Sequence, residues 1–190
     1  MRRTSLLLVL LAALTPALSG CFPLVAAGAG ATAVVASDRR TAGTYIDDTE
    51  IELKAHDVIR DSFGPNVHVD VGSFNRNVLL VGEAPTETLK HQVEEAVQAI
   101  PNVAHVTNLI SIENPTSDAV RANDALLTAK VKARYLDENK FQINYVKVIT
   151  ENGVVYLMGL VTHKEAADAA NIAATTSGVQ KVVKVFQYID

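Results

Sequence analysis

Few side chains in this 190-residue sequence are arranged in a way that could do chemistry. Its five histidines, at positions 56, 68, 91, 105 and 163, never show the i, i+4 spacing of a helical metal-binding pair. No Ser/His/Asp or Cys/His arrangement is suggested, and the glycines near residue 28 do not open a helix within a βαβ unit. The single cysteine excludes an internal disulfide. The sequence therefore predicts a protein that is not an enzyme and that has no metal site and no bound cofactor.

The cysteine itself, Cys21, stands at the end of a secretory leader. A basic start (Met1–Arg3) precedes an apolar run at residues 6–14, which is too short for a bilayer that needs roughly 20 residues. Leu18-Ser19-Gly20-Cys21 resembles the bacterial lipobox. That resemblance implies removal of a signal peptide at 1–20, followed by a covalent diacylglycerol and an N-acyl chain on Cys21.

The sequence leaves two alternatives to lipidation open. Ordinary signal cleavage could occur further on, near residues 25–27, or the leader could remain as an uncleaved anchor. Two or three acyl chains would hold the mature protein stably on a membrane, whereas a single chain would not. The residue after Cys21 is Phe22 rather than Asp, which by the sorting pattern of enterobacterial lipoproteins implies the outer membrane. The expected location is lipid-anchored there, facing the periplasm.

Composition and charge describe a folded module without a global basic field. Apolar residues make up 48% of the chain and charged residues 20%, and the net charge is −4. Removal of Arg2 and Arg3 with the leader lowers the net charge to −6. The sequence therefore predicts no nucleic-acid partner, and any attraction to an acidic surface must come from a local patch.

The rest of the chain is an internal repeat. Val78–Gly82 is matched by Val155–Gly159 at an offset of 77 residues, and Asp48–Ile51 is matched by Asp124–Leu127 at 76. Each copy reads as an amphipathic helix with an acidic N-cap candidate (Asp48 or Asp124), two strands, a second helix and a final strand. The ranges expected after the first helix are 67–71, 78–82, 86–99 and 103–112 in the first copy, and 143–146, 155–159, 163–176 and 179–189 in the second.

This order predicts an α+β fold made of two αββαβ domains. The first two strands form an antiparallel hairpin, and a right-handed helical crossover returns the third strand parallel to the second. Each domain is then a three-stranded mixed sheet with two helices on one face. The predicted organisation is a lipidated Ala/Gly-rich tether at 21–45, domain 1 at 46–113, a linker at 114–120 and domain 2 at 121–190.

Both copies resemble the BON domain of bacterial envelope and osmotic-stress proteins. The resemblance rests on the strand ends Leu79-Leu80-Val81-Gly82 and Tyr156-Leu157-Met158-Gly159, and on the openings Pro101-Asn102-Val103 and Gly178-Val179 of the last strands. The first copy lacks the glycine before Val103. With the lipobox, the chain is similar to dual-BON outer-membrane lipoproteins. This similarity implies binding of anionic phospholipid by the second copy, a location at division sites and a role in outer-membrane integrity.

The two copies differ on the outer face of their first helix. Leu126, Ala129, Ala133 and Leu136 share a face that the core of domain 2 does not need, whereas domain 1 has Glu50, Leu53, Asp57 and Arg60 there. The charge balance is −3 over residues 48–62 and +3 over residues 121–134.

An apolar stripe with basic neighbours suits the boundary between head groups and acyl chains. The expected partners are anionic phospholipids such as phosphatidylglycerol and cardiolipin. The residues predicted to bind them are Leu126, Ala129, Lys130, Ala133, Arg134 and Leu136. Two alternatives remain open: the stripe could pack against domain 1, or the protein could be an envelope adaptor that grips a protein partner without recognising lipid.

Overall fold

The computed structural model describes residues 38–190, so the predicted signal peptide, Cys21 and most of the tether lie outside the described residues. Two successive α–β–β–α–β units occupy the described part. The first comprises α1 (Ala42–Phe63), β1 (His68–Phe74), β2 (Asn77–Ala84), α2 (Glu87–Gln98), β3 (His105–Asn108) and β4 (Ser111–Ile112). The second comprises α3 (Asp118–Glu138), β5 (Val146–Glu151), β6 (Val154–Val161), α4 (His163–Ala174) and β7 (Lys181–Tyr188).

The predicted fold class and strand order are confirmed. In the first copy β2 pairs antiparallel with β1 and parallel with β3, and in the second β6 pairs antiparallel with β5 and parallel with β7. The strand predicted at 103–112 is interrupted, because Ile110 turns into the core at 2% exposure. β3 and β4 are therefore two pieces of one strand, and both pair with β2.

Each pair of helices covers one face of its sheet. Alternate strand residues supply that face, and both helices add an apolar stripe with helical spacing. The first core is built mainly from Ile51, Ala55, Ile59, Val69, Val71, Val78, Leu80, Val93 and Val97. The second is built mainly from Val131, Tyr135, Val146, Val148, Val155, Leu157, Ala169, Ile172 and Ala173.

The predicted N-caps, Asp48 and Asp124, are wrong. α1 begins after Thr41, whose side chain accepts a hydrogen bond from the Thr44 amide, and α3 begins after Ser117. Residues that were expected to be tether or linker thus extend the helices, since a Thr or Ser further upstream supplies a suitable cap. A 3₁₀ turn also replaces the strand predicted at 143–146, so that β5 begins at Val146.

Both aspartates instead hold the hairpin turn that follows in their own copy. Asp48 accepts hydrogen bonds from the amides of Asn75 and Arg76, and Asp124 accepts from the amides of Asn152 and Gly153. Both carboxylates are buried. An aspartate one helical turn or more inside the helix therefore satisfies turn amides that the sheet ladder leaves unpaired.

A glycine two residues before the end of the second strand in each copy permits a close approach between strands. A Cβ on Gly82 would overlap the carbonyl oxygen of His68, and a Cβ on Gly159 would overlap that of Tyr145. This steric limit explains why the same residue type ends the motif in both copies.

The copies meet through the sheet faces that their helices leave open. Phe74, Leu79, Val81 and Met158 form a buried cluster there, with Ile149, Tyr156, Leu160 and Val185 packed around it. Gly72 lies against Ile149, its counterpart 77 residues later, so equivalent surfaces of the two copies face each other. The helices consequently lie on the outside of the pair.

Candidate membrane-contacting surface

α3 has one buried face and one exposed face. Leu127, Val131 and Tyr135 are at most 1% exposed, whereas Leu126 and Leu136 on the opposite side are 61% and 62% exposed. Ala129 and Ala133 lie between these leucines and are also exposed. We call Leu126, Ala129, Ala133 and Leu136 the outer stripe. At the rise of an α-helix it is about 15 Å long.

The inner face fixes the orientation of this helix. The Tyr135 hydroxyl donates to the Ala169 carbonyl at 3.0 Å inside the core. Burial raises the pKa of Tyr135 well above its usual range, so the hydroxyl keeps the proton that it donates. The Tyr135 ring also packs edge-on against Phe141, with 4.9 Å between centroids. The outer stripe is therefore presented by a helix that its own core holds rigidly.

Lysines border the outer stripe on both sides. Lys130 and Lys132 are exposed. From the residues per turn, they lie about 80° to either side of the centre of the stripe. Long lysine stems can lie along apolar surface while the ammonium groups reach outward. The structure thus places apolar side chains and flexible positive charges on the same outward surface.

Arg134 has a different position from the other predicted lipid-binding residues. Its Nη1 donates to the Ile172 carbonyl at 2.8 Å and to the hydroxyls of Thr175 and Thr176, and its Nη2 pairs with Glu138 at 2.6 Å. A cation at the C-terminal end of α4 satisfies carbonyls that have no helical partner. The structure therefore assigns Arg134 to the joint between α3 and α4.

The alternative in which the outer stripe packs against domain 1 is wrong for these residues. The copies meet through their sheets, and the outer stripe lies on the opposite, helical side of domain 2. Sequence patterning shows that a surface is apolar, but the packing of the two sheets decides which surface is left open.

The corresponding face of α1 is polar and ion-paired. Glu50 pairs with Lys54 at 2.6 Å, and Asp57 pairs with Arg60 at 2.8 Å. Ile46 and Leu53 are each 63% exposed on this face, although the sequence predicts an ordinary solvated surface. Two exposed apolar side chains among acidic groups distinguish α1 from α3.

The segment just before α1, assigned to the tether from the sequence, is tied to both copies. Arg39 pairs with Glu165 of domain 2 at 2.7 Å, and its guanidinium lies 3.8 Å from the centre of the Tyr145 ring. Arg40 pairs with Asp48 of domain 1 at 2.8 Å. Two adjacent arginines at the start of the described chain thus contact both domains, Arg39 domain 2 and Arg40 domain 1.

No helix within residues 38–190 has the length and apolar content needed to cross a bilayer. Cys21 lies outside these residues, so its lipidation stays a prediction from the lipobox.

The two copies match a known domain family. The family model of the BON domain matches residues 47–114 and 123–190. The chain belongs to the BON domain family. This assignment confirms the resemblance seen at the strand ends of the two copies.

Three relatives of this BON protein span most of its length. Outer membrane lipoprotein DolP of Haemophilus influenzae is 36% identical over 185 residues, which cover 96% of each chain. The 21 kDa hemolysin of Actinobacillus pleuropneumoniae is 31% identical over 80% of this chain and 79% of its own. Osmotically-inducible protein Y of Escherichia coli is 25% identical over 78% of this chain and 76% of its own. The protein is accordingly a DolP-like, dual-BON outer-membrane lipoprotein, as the lipobox and repeat predict.

The sequence gives no sign of one further group of side chains in this BON protein. His68, Glu83 and Glu151 come together where the two copies meet, with one ligand atom from each within 4.8 Å of the others. They lie far apart in the chain and on different strands, so no spacing pattern could have found them.

Proposed function

We propose that this lipoprotein binds anionic phospholipids through the outer stripe of α3, while acyl chains on Cys21 anchor it to the outer membrane. The observation that carries the proposal is the exposure of Leu126 and Leu136 on a rigid helix between Lys130 and Lys132. Burying each leucine among acyl chains would contribute about 1.5–3 kcal/mol. Each lysine near an anionic surface would add about 1 kcal/mol.

The lipid anchor supports this use of a small surface. A tethered domain meets the membrane at a high effective concentration, so a weak second contact suffices to orient it. The relative DolP is named as an outer membrane lipoprotein, which supports membrane association. In this proposal the acyl chains attach the protein to the membrane, and α3 makes it bind acidic lipid in preference to neutral lipid. Such a preference would concentrate the protein at division sites and support outer-membrane integrity.

Vesicle co-sedimentation tests the lipid contact. The 38–190 fragment, which forms one compact unit, should bind vesicles that contain phosphatidylglycerol or cardiolipin and should not bind neutral phosphatidylcholine vesicles. Leu126→Glu should weaken binding about 100-fold, since it removes a buried leucine and adds a like charge. The matched control is Leu53→Glu, an equally exposed leucine on α1, which should bind as the wild type does.

Equal affinity for anionic and neutral vesicles, or equal loss in both variants, would overturn the proposal. In cells, a fluorescent fusion of the full lipoprotein should collect at division sites, and Leu126→Glu should disperse it while its abundance stays the same. Sensitivity of the variant strain to detergent would measure the effect on outer-membrane integrity.

A second candidate function is that of an envelope adaptor, and the exposed Ile46 and Leu53 of α1 favour it. Their acidic surroundings suit a protein partner with a basic rim around an apolar pocket. A strain that carries Ile46→Glu together with Leu53→Glu should then be as sensitive to detergent as a strain that lacks the protein. The doubly substituted protein should bind vesicles as the wild type does. If these substitutions have no cellular effect, the adaptor function is excluded for this face.

A further inference from the structure

The place where the two copies meet holds a cluster of metal-ligating side chains. His68 and Glu83 are register partners on β1 and β2 of domain 1, and Glu151 ends β5 of domain 2. His68 Nε2 lies 3.3 Å from Glu151 Oε2. One ligand atom from each of the three side chains lies within 4.8 Å of the others. Both copies therefore contribute to one cluster.

The two carboxylates are buried, and that of Glu151 is incompletely satisfied. Glu83 is 2% exposed and Glu151 is 5% exposed. Glu83 Oε2 accepts from the amide and hydroxyl of Thr116, whereas Glu151 Oε1 has no hydrogen-bond partner among the described residues. Two buried acids so close together need a positive partner.

The equivalent position in domain 2 is occupied by one cation of the chain itself, Arg39. Tyr145 and Leu160 stand 77 residues after His68 and Glu83. Arg39 stacks on the Tyr145 ring and donates to the Leu160 carbonyl at 2.9 Å.

At the His68 end, no lysine or arginine among residues 38–190 forms an ion pair with either glutamate. Arg121 lines the same cleft, but it donates to the Thr116 carbonyl and pairs with Asp118. The Nε atom of Arg121 has no partner within the described residues.

We propose that His68, Glu83 and Glu151 bind one divalent transition-metal ion, with Zn²⁺ as the probe. One imidazole nitrogen and two carboxylate oxygens suit Zn²⁺ better than Mg²⁺ or Ca²⁺, which take oxygen ligands. His68 and Glu151 line a cleft of 470 Å³ together with Asp70, Asp124 and Arg121, so water in this cleft would supply the fourth ligand. Since the ligands come from both domains, the ion stabilises their junction.

Metal binding by the mature full-length lipoprotein in detergent tests the proposal. Equilibrium dialysis at pH 7.5 should give one tightly bound Zn²⁺ per chain. Zn²⁺ at 100 times its Kd should raise the Tm by about 5–10 °C. Glu151→Gln and His68→Gln should each lose the bound ion and the rise in Tm, and circular dichroism should confirm that both variants fold.

The matched control is His91→Gln, which removes an exposed histidine beside Glu87 and Glu94 on α2 and should keep the bound ion. Crystals of the wild type soaked in Zn²⁺ should show an anomalous peak between the three ligands. A wild type that binds no Zn²⁺ would overturn the proposal and leave a shared proton as the positive partner. Loss of the ion in His91→Gln alone would overturn it as well.

Discussion

The first helices of the two copies, α1 and α3, have equivalent cores and different outer faces. Ile51, Ala55 and Ile59 of α1 are buried, and Leu127, Val131 and Tyr135, each 76 residues later, are buried in α3. On the outer faces, α1 carries ion pairs around two exposed apolar residues, whereas α3 carries the outer stripe. Packing against a sheet restricts the inner positions, but nothing in the fold restricts the outer ones. A duplicated domain can therefore diverge in binding without any change of architecture.

The copies also differ in how strongly their turn-holding aspartates are engaged. Besides the two turn amides, Asp48 accepts from the Ser73 hydroxyl at 2.6 Å and from Arg40 at 2.8 Å. Asp124 accepts only the two turn amides among the hydrogen bonds of the described residues. In domain 1 one carboxylate thus binds both the hairpin turn and Arg40, which precedes α1. In domain 2 the equivalent carboxylate binds only the hairpin turn.

The largest expected effect on stability tests this difference. Asp48→Ala should cost about 3–5 kcal/mol, because it leaves Arg40 and several buried donors without a partner. Asp124→Ala should cost about 2–3 kcal/mol, since only two amides lose their acceptor. Urea unfolding of the two variants measures both values. Equal losses would contradict the greater engagement of Asp48.

The junction between the copies can be broken at Gly72. A Cβ there would overlap Ile149 Cδ1 and lie 3.2 Å from Met158 Sδ. Gly72→Val should cost about 1–3 kcal/mol through overpacking, as measured by the free energy of unfolding. Gly43→Ala in the first turn of α1 is the control, because only Thr41 Oγ1, at 3.8 Å, lies near the added methyl group. A Gly72→Val protein as stable as the control would show that the sheets do not pack closely.

A smaller effect is expected at the ion pair between Arg39 and domain 2. The hydrogen bond with Arg39 holds the pKa of Glu165 below its ordinary value of 4.5. A lowered pKa in the folded state contributes stability above pH 4.5, and that stability is lost as the pH falls through the lowered value. Arg39→Ala should therefore cost about 1–2 kcal/mol at pH 7.

Thermal unfolding between pH 7 and pH 3 measures this dependence. The difference in Tm between wild type and Arg39→Ala should stay constant down to about pH 5 and should shrink below pH 4.5. A difference that grows in acid would reverse the sign and refute the role of Glu165.

The smallest expected effect distinguishes the charges on α1 and α3. Lys130→Gln should weaken binding to anionic vesicles about fivefold, because one basic residue near the surface is lost. Lys54→Gln is the matched control on α1, where the lysine is paired with Glu50. It should leave binding unchanged. Vesicle titrations at low and high salt should show that the effect of Lys130→Gln disappears as salt screens the charge.

Local patterns were enough to predict the repeat, the strand order and the apolar face of α3. Helical and strand periodicities are local properties, and the same pattern occurring twice strengthened each assignment. Helix starts were predicted less well. Asp48 and Asp124 look like N-caps because acidic residues favour that position, but the true caps, Thr41 and Ser117, lie seven residues earlier. Both aspartate side chains instead bind a turn about 28 residues away.

Arg134 shows the same limit within the candidate surface. Its spacing puts it beside Lys130 on a basic helix, but tertiary structure brings the end of α4 within reach of its guanidinium. Side-chain charge can be read from a sequence, whereas the partner that neutralises it depends on which elements come together.

The sequence by itself determined that Cys21 is the lipidation candidate, that two BON copies follow it and that α3 carries an apolar stripe. These features depend on residue types at short, regular spacings. Only the tertiary structure decided that the copies meet through their sheets, which leaves the outer stripe exposed. It also brought His68, Glu83 and Glu151 together across that contact. Packing between distant surfaces depends on complementary shape, which no local spacing encodes.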